Sequence, residues 1–150
     1  MEVNYNIRTV IRGDSKRIWE IRNQPATREY SKNSAAIPFA QHDFWFENKY
    51  FKGDKNICFV LEKDNKVVGY CRFDFDDKNN NYITSIALAP DCQGKGLGHK
   101  LLSGSLIKFK TDKAVLAEVK KDNITSAKLF QKNNFHVFKK DKKNYFYKYN

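Results

Sequence analysis

One stretch past the middle of the chain limits its fold more than any other: Ser85-Ile86-Ala87-Leu88-Ala89-Pro90-Asp91-Cys92-Gln93-Gly94-Lys95-Gly96-Leu97-Gly98-His99-Lys100-Leu101-Leu102. It opens as a strand, because Tyr82 to Leu88 is rich in β-branched and aromatic residues and follows a polar turn. It closes as an amphipathic helix carrying Leu97, Leu101 and Leu102. Between the two, Gly94, Gly96 and Gly98 alternate along the chain. Such a run lets backbone N–H groups turn into one concavity at a helix N-terminus, where the helix dipole also favours an anion. The expected occupant is a phosphate.

Two common phosphate loops do not fit. The P-loop requires Lys-Ser or Lys-Thr after its glycines, and no such pair follows here. The dinucleotide fingerprint Gly-x-Gly-x-x-Gly belongs to an early βαβ unit, whereas this run is Gly-x-Gly-x-Gly and lies past mid-chain. Gln93-x-x-Gly96-x-Gly98, preceded by Ile-Ala-Leu-Ala-Pro and followed by Leu101-Leu102, resembles the acetyl-CoA signature Gln/Arg-x-x-Gly-x-Gly/Ala of the GNAT superfamily of N-acetyltransferases. That resemblance implies acetyl-CoA as cosubstrate, held by Gln93, Gly94, Lys95, Gly96, Leu97, Gly98 and His99.

The rest of the chain is compatible with that fold. Tyr5 to Val10 alternates as an opening strand. Asp14 or Ser15 then caps a helix presenting Ile18, Trp19 and Ile21, which Pro25 interrupts. A second helix is expected from about Gln41 to Phe51. Strands at Ile57–Leu61 and Val67–Phe75 flank the hairpin signal Asp64-Asn65. After the glycine run come a helix to about Lys110, a strand at Ala114–Val119, a helix at Ile124–Lys132 and a closing hairpin of Phe135–Phe138 with Tyr145–Tyr149. This is an α/β (α+β) order: a mixed, mostly antiparallel sheet of about seven strands flanked by about four helices, similar to the GNAT fold throughout. No linker, repeat or domain boundary interrupts it, so one domain over residues 1–150 is expected.

A second segment, Ala117 to Phe135, resembles the superfamily's other signature, in which Asn, Ser and Leu-Phe precede Lys-x-Gly-Phe. The resemblance assigns Asn123 to the pantetheine arm and puts Ser126, Phe130 and Lys132 along the same side. Asn123 is also an ordinary helix N-cap. Two residues depart from the pattern: Asn134 replaces the usual glycine but tolerates a left-handed backbone, and Phe130 stands where many members carry the tyrosine that protonates the departing thiolate. With a free thiol pKa near 8.5, losing that acid costs roughly 2 kcal/mol at pH 7. A hydroxyl of Tyr145 or Tyr147, or water, is the substitute.

Amine attack on a thioester needs a base, an oxyanion donor and alignment. Glu118 is the candidate base, with a surface carboxylate paired to Lys120 as the alternative. The backbone N–H of Leu88 or Ala89 is the candidate oxyanion donor, at the point where the resemblance implies that the central strands splay. Ser85 and Thr84 are candidates for contact with the acceptor or a relay water. Cys92, the one thiol near the loop, is read as incidental to a direct transfer.

Acceptor choice falls to the N-terminal part of the chain. Arg22-Asn23-x-Pro25-x-x-Arg28-x-x-Ser31, followed by His42-x-x-Trp45-Phe46, resembles the branch that acetylates nucleotide-linked 4-amino sugars on the way to pseudaminic and legionaminic acids. Arginines bind diphosphate bidentately and Trp45 offers a face for a uracil or sugar. The expected substrate-binding residues are Arg22, Asn23, Arg28, His42 and Trp45. The alternatives are Trp45 and Phe46 as core residues, Arg22 and Arg28 as salt-bridged surface residues, and a protein N-terminus of ribosomal-protein type or another amine as acceptor.

The net charge of +11 raises a further alternative, a non-catalytic CoA- or RNA-binding module. The lysines are scattered, however, and the densest run, Lys139 to Lys143, falls in a hairpin turn, so nucleic acid is not the expected partner. Cys58, Cys71 and Cys92 have no paired spacing, which points to free thiols and no metal. The chain has no long apolar run, and Met1–Gly13 is charged where a leader would be apolar. A cytoplasmic protein with no membrane partner is expected, and a homodimer is compatible with the sequence.

Overall fold

A computed structural model of the chain describes residues 3–149. Seven strands form one sheet in the order β1-β2-β3-β4-β5-β7-β6. The strands are β1 (Tyr5–Thr9), β2 (Ile57–Lys63), β3 (Lys66–Asp76), β4 (Asn81–Leu88), β5 (Val115–Lys120), β6 (Phe135–Lys140) and β7 (Asn144–Tyr149). Every neighbouring pair is antiparallel except β4 and β5. The helices are α1 (Ser15–Arg22), α2 (Pro25–Glu29), α3 (Phe39–Tyr50), α4 (Leu97–Lys108) and α5 (Ile124–Lys132).

Local chemistry accounts for most element ends. Asp64 and Asn65 both take positive φ, +50° and +68°, the geometry a two-residue hairpin between β2 and β3 requires. Asn134 sits at φ +68° between α5 and β6, so it makes the left-handed turn in place of glycine. Pro25 does more than interrupt a helix. It occupies the first position of α2, where its missing N–H costs nothing. That adds a fifth helix to the expected four. α3 starts at Phe39, two residues earlier than expected, and α4 ends at Lys108, two earlier.

The sheet has two working faces. Paired residues of an antiparallel ladder share a face, so Tyr70, Arg72 and Asp74 of β3 lie with Ala87, Ser85 and Ile83 of β4. This face carries α1 and α3, which bury Ile18, Ile21 and Phe46. On the other face Phe73 stacks on Phe109 at 4.5 Å and Tyr82 meets the same ring edge-on at 4.8 Å, under α4 with its buried Leu101 and Leu102. Each such fully buried side chain contributes on the order of 1.5–3 kcal/mol. Thr84 belongs to this second face and is buried, so of the two strand hydroxyls only Ser85 lies on the α1–α3 face.

Candidate functional site

The sheet opens at its centre. β4 and β5 register only as Tyr82↔Val115 and Ile83↔Leu116, after which β4 runs to Leu88 and β5 to Lys120 without pairing to each other. The ladder with β3 fixes which backbone groups face the gap. Ala89 N–H donates to the Val68 carbonyl at 2.7 Å, and the alternation of an antiparallel ladder then turns the N–H and C=O of Thr84, Ile86 and Leu88 away from β3. Tyr82, in the same phase, donates its N–H to Ala114 at 2.9 Å where the strands are still together. Leu88 therefore offers its N–H to the gap and Ala89 does not, which corrects the expectation that either would serve. The Leu88 carbonyl accepts a hydrogen bond from Gln93 Nε2 at 3.3 Å, tying the loop to the strand end.

Beyond Leu88 the chain turns through Gly94 and Gly96, at φ +74° and +75°. A Cβ at either position would meet nothing within 4 Å, so their freedom serves backbone conformation and leaves an open approach. Gly96 is the N-cap of α4 and has no side chain to cap it, leaving first-turn amides without side-chain partners. These features fit an anionic diphosphate. Gly98 differs from the expected pattern. It is helical, and a Cβ there would make ordinary contact with the Leu129 side chain at 3.4 Å, so it packs against α5 and takes no part in the turn. Leu97 sends its side chain into the core, while Gln93 and Lys95 are exposed.

Asn123 caps α5, its Oδ1 accepting from Ser126 N–H at 3.2 Å. Phe130 is buried, edge-on to Phe135 at 4.9 Å and stacked with Tyr147 at 6.2 Å; its side chain belongs to the core. Lys132 is exposed at the end of α5. Tyr147 is fully buried and its hydroxyl accepts from Gln131 Nε2 at 3.1 Å, whereas Tyr145 is only half-buried. Cys58, Cys71 and Cys92 are free and buried. Among the described residues no group of acidic, His or Cys side chains could hold a metal ion.

Glu118 shares a face with Leu116, hence with Ile83 and Ser85. It lines a cleft of about 510 Å³ together with Lys32, Ile83, Leu116, Phe138 and Phe146. Its partner is Lys32, at 3.4 Å, and not Lys120, whose ammonium instead donates to the Glu29 carbonyl. The segment between α2 and α3 thus lies along this cleft.

Above the same face, the predicted acceptor residues separate into two groups. Asn23 clasps the α2–α3 segment through Ile37, accepting its N–H at 2.9 Å and donating to its carbonyl at 3.4 Å. Arg28 donates to the carbonyls of Asn23 and Ser34. His42 is fully buried and uses both nitrogens within the protein, which corrects the expectation of direct acceptor contact for it. Asn23 and Arg28 are half-buried and brace the α2–α3 segment, with Arg28 Nη2 outside these bonds. Arg22 and Trp45 remain half-exposed, with the Arg22 guanidinium 4.2 Å from the indole centroid.

Arg72 lies outside the set of residues expected from the sequence. It lies opposite Ser85 in the β3–β4 ladder, and its guanidinium stands 5.1 Å from the Trp45 centroid and 2.7 Å from Asp74. A charged pair at Arg72 and Asp74 within an otherwise buried strand was the available signal. Burial, then the charge of Arg72, holds Arg22 below the usual arginine range.

A family model, described as the acetyltransferase (GNAT) family, matches residues 16–135. The chain belongs to the GNAT acetyltransferase family, and it is an acetyl-CoA-dependent N-acetyltransferase. Solved structures share its fold. An N-acetyltransferase from Staphylococcus aureus Mu50 is 24% identical, with 97% of each chain covered and a TM-score of 0.80. The structure of yncA from Salmonella typhimurium, determined with its cofactor acetyl-CoA, is also 24% identical, covering 97% of this chain and 92% of that one at a TM-score of 0.78. A ribosomal-protein-alanine N-acetyltransferase from Brucella melitensis is 20% identical over 95% and 98% of the two chains, TM-score 0.78. No curated protein matches at a significant level. No helix among the described residues is long and apolar enough to cross a membrane.

Proposed function

We propose that this acetyltransferase acts on the primary amine of a nucleotide-linked amino sugar, as one domain spanning the chain and working in the cytoplasm. The observation that carries the reading is the position of Arg22 and Trp45, half-exposed on the face that also bears Ser85 and Glu118. A guanidinium there suits a diphosphate, and the sugar amine then lies toward the gap between β4 and β5.

Acetyl-CoA supplies the activated acyl group as a thioester. The backbone amides from Gln93 to His99 hold its diphosphate, and the Asn123 side-chain amide meets the pantetheine arm. Glu118, directly or through one water, accepts the ammonium proton as the new C–N bond forms and the C–S bond breaks. Leu88 N–H donates to the carbonyl oxygen on which negative charge develops, and Ser85 orients the acceptor or a relay water. With Phe130 in the core, the proton returned to the thiolate comes from water or from Tyr145, and no covalent enzyme intermediate forms.

Mass spectrometry of a reaction with a UDP-linked 4-amino sugar tests the reading. An N-acetylated nucleotide sugar is expected. Acetylation of a ribosomal-protein N-terminal peptide in its place, with the nucleotide sugar untouched, rejects it.

A further inference from the structure

We infer that Arg22 and Arg72, gathered on the Trp45 indole, form a subsite for a multiply charged oxyanion of the acceptor. Arg72 is a specificity residue outside the set expected from the sequence. The inference rests on the acceptor reading above for the side from which the substrate enters.

Two guanidiniums lie within 4.2 Å and 5.1 Å of one aromatic ring, and their charges repel. The cluster holds one carboxylate, Asp74, and it is already shared. Arg72 approaches it at 2.7 Å, the Tyr50 hydroxyl donates to it at 2.8 Å and Lys49 stands 3.8 Å away. No carboxylate among the described residues lies within ion-pair distance of Arg22, whose one side-chain partner is the neutral Nδ1 of His42 at 3.2 Å. Arg72 Nε is buried and has no hydrogen-bond partner. A half-buried site with three cations against one anion, and an unused guanidinium N–H, is incomplete without a negative ligand.

The same geometry changes the role of Trp45. Its ring already meets Arg22, Arg72, the edge of Tyr50 at 5.6 Å and His42 at 5.6 Å. The indole therefore gathers the guanidiniums and does not serve as a platform for a base. Recognition falls on the oxyanion, a diphosphate or a pair of carboxylates, and the nucleobase contributes little.

Titration calorimetry at constant ionic strength, with the glycine loop saturated by CoA, compares UDP, uridine and glutarate. Binding of UDP identifies a diphosphate site and binding of glutarate a carboxylate site; uridine is expected not to bind. Arg22→Met and Arg72→Met should each weaken the anion at least 30-fold. Arg22→Lys, which keeps the charge and loses the fork, should weaken it about tenfold. Lys142→Ala, an equal loss of net charge on the exposed hairpin turn, should leave it unchanged. Uridine binding as tightly as UDP, binding of neither anion, or an Arg22→Lys protein with unaltered affinity overturns the proposal. Arg22-dependent anion binding without acetylation of any nucleotide sugar would reject the acceptor reading and leave this subsite standing. Acetylation of a nucleotide sugar with KM unmoved by Arg22→Met or Arg22→Lys would do the reverse.

Discussion

The Arg22 guanidinium donates to Nδ1 of His42 at 3.2 Å, while the other ring nitrogen of His42 lies 3.0 Å from the Ser15 carbonyl. Arginine can only donate, so Nδ1 is the acceptor and the proton sits on Nε2. His42 thus bridges α1 and α3 as a neutral ring, and burial first, then the Arg22 charge, pushes its pKa down to about 4. The unfolded chain takes up that proton near pH 6.5 and the folded protein resists it. Stability from this group is therefore complete above pH 6.5 and is lost as pH falls toward 4. The loss is on the order of 3 kcal/mol across that window. Chemical denaturation between pH 7 and 4 should show this slope, and His42→Gln should flatten it.

The glycine loop gives a sharper test of cosubstrate binding. Gly96 holds φ +75° with nothing within 4 Å of the missing Cβ, so Gly96→Val strains the backbone and puts a branched side chain into the open approach. The variant should fold with a loss of about 1–2 kcal/mol. Its acetyl-CoA affinity, measured by calorimetry, should fall by about 100-fold as amides to a charged group are misdirected. Unchanged affinity in the folded variant would remove the loop from the site.

Glu118 reaches from β5 into the cleft that it shares with Lys32, its one ion-pair partner among the described residues. Glu118→Gln keeps size and hydrogen bonding but cannot take a proton. Steady-state kinetics should show kcat reduced about 100-fold or more, with acetyl-CoA affinity intact. A variant with wild-type kcat would remove Glu118 from the proton transfer.

Cys92 is buried next to the loop, in the 3-10 turn that follows Ala89. Direct transfer predicts that Cys92→Ala retains turnover and that intact-protein mass spectrometry finds no acetylated enzyme. A trapped acetyl-cysteine would require a two-step route.

The strand–turn–helix at residues 85–102 and the hairpin at Asp64-Asn65 were readable because their chemistry is local: β-branched runs, left-handed turn residues, a helix that starts on glycine. The succession of strands and helices along the chain was readable for the same reason, whereas the arrangement of the strands in the sheet was implied only by the family resemblance. The face on which a side chain lands is not local. Thr84 and Ser85 are adjacent and equivalent in sequence, yet register puts one under α4 and the other beside Arg72. The spending of the Ala89 amide on Val68 follows only from the ladder with β3. His42 was expected at the acceptor because a polar residue at helical spacing does not announce that both its nitrogens are satisfied inside. Arg72 was passed over because β3 looked like core, and only pairing with β4 brings its guanidinium to Trp45, twenty-seven residues away in the chain.

The most direct measurement of the central claim is thiol release from acetyl-CoA by the purified protein against a panel of UDP-linked 4-amino sugars, free amino sugars, a polyamine, an aminoglycoside and a ribosomal-protein N-terminal peptide. The account predicts release with the nucleotide-linked amino sugars, and its loss in Glu118→Gln. Release with the polyamine or peptide but not with any nucleotide sugar would contradict it.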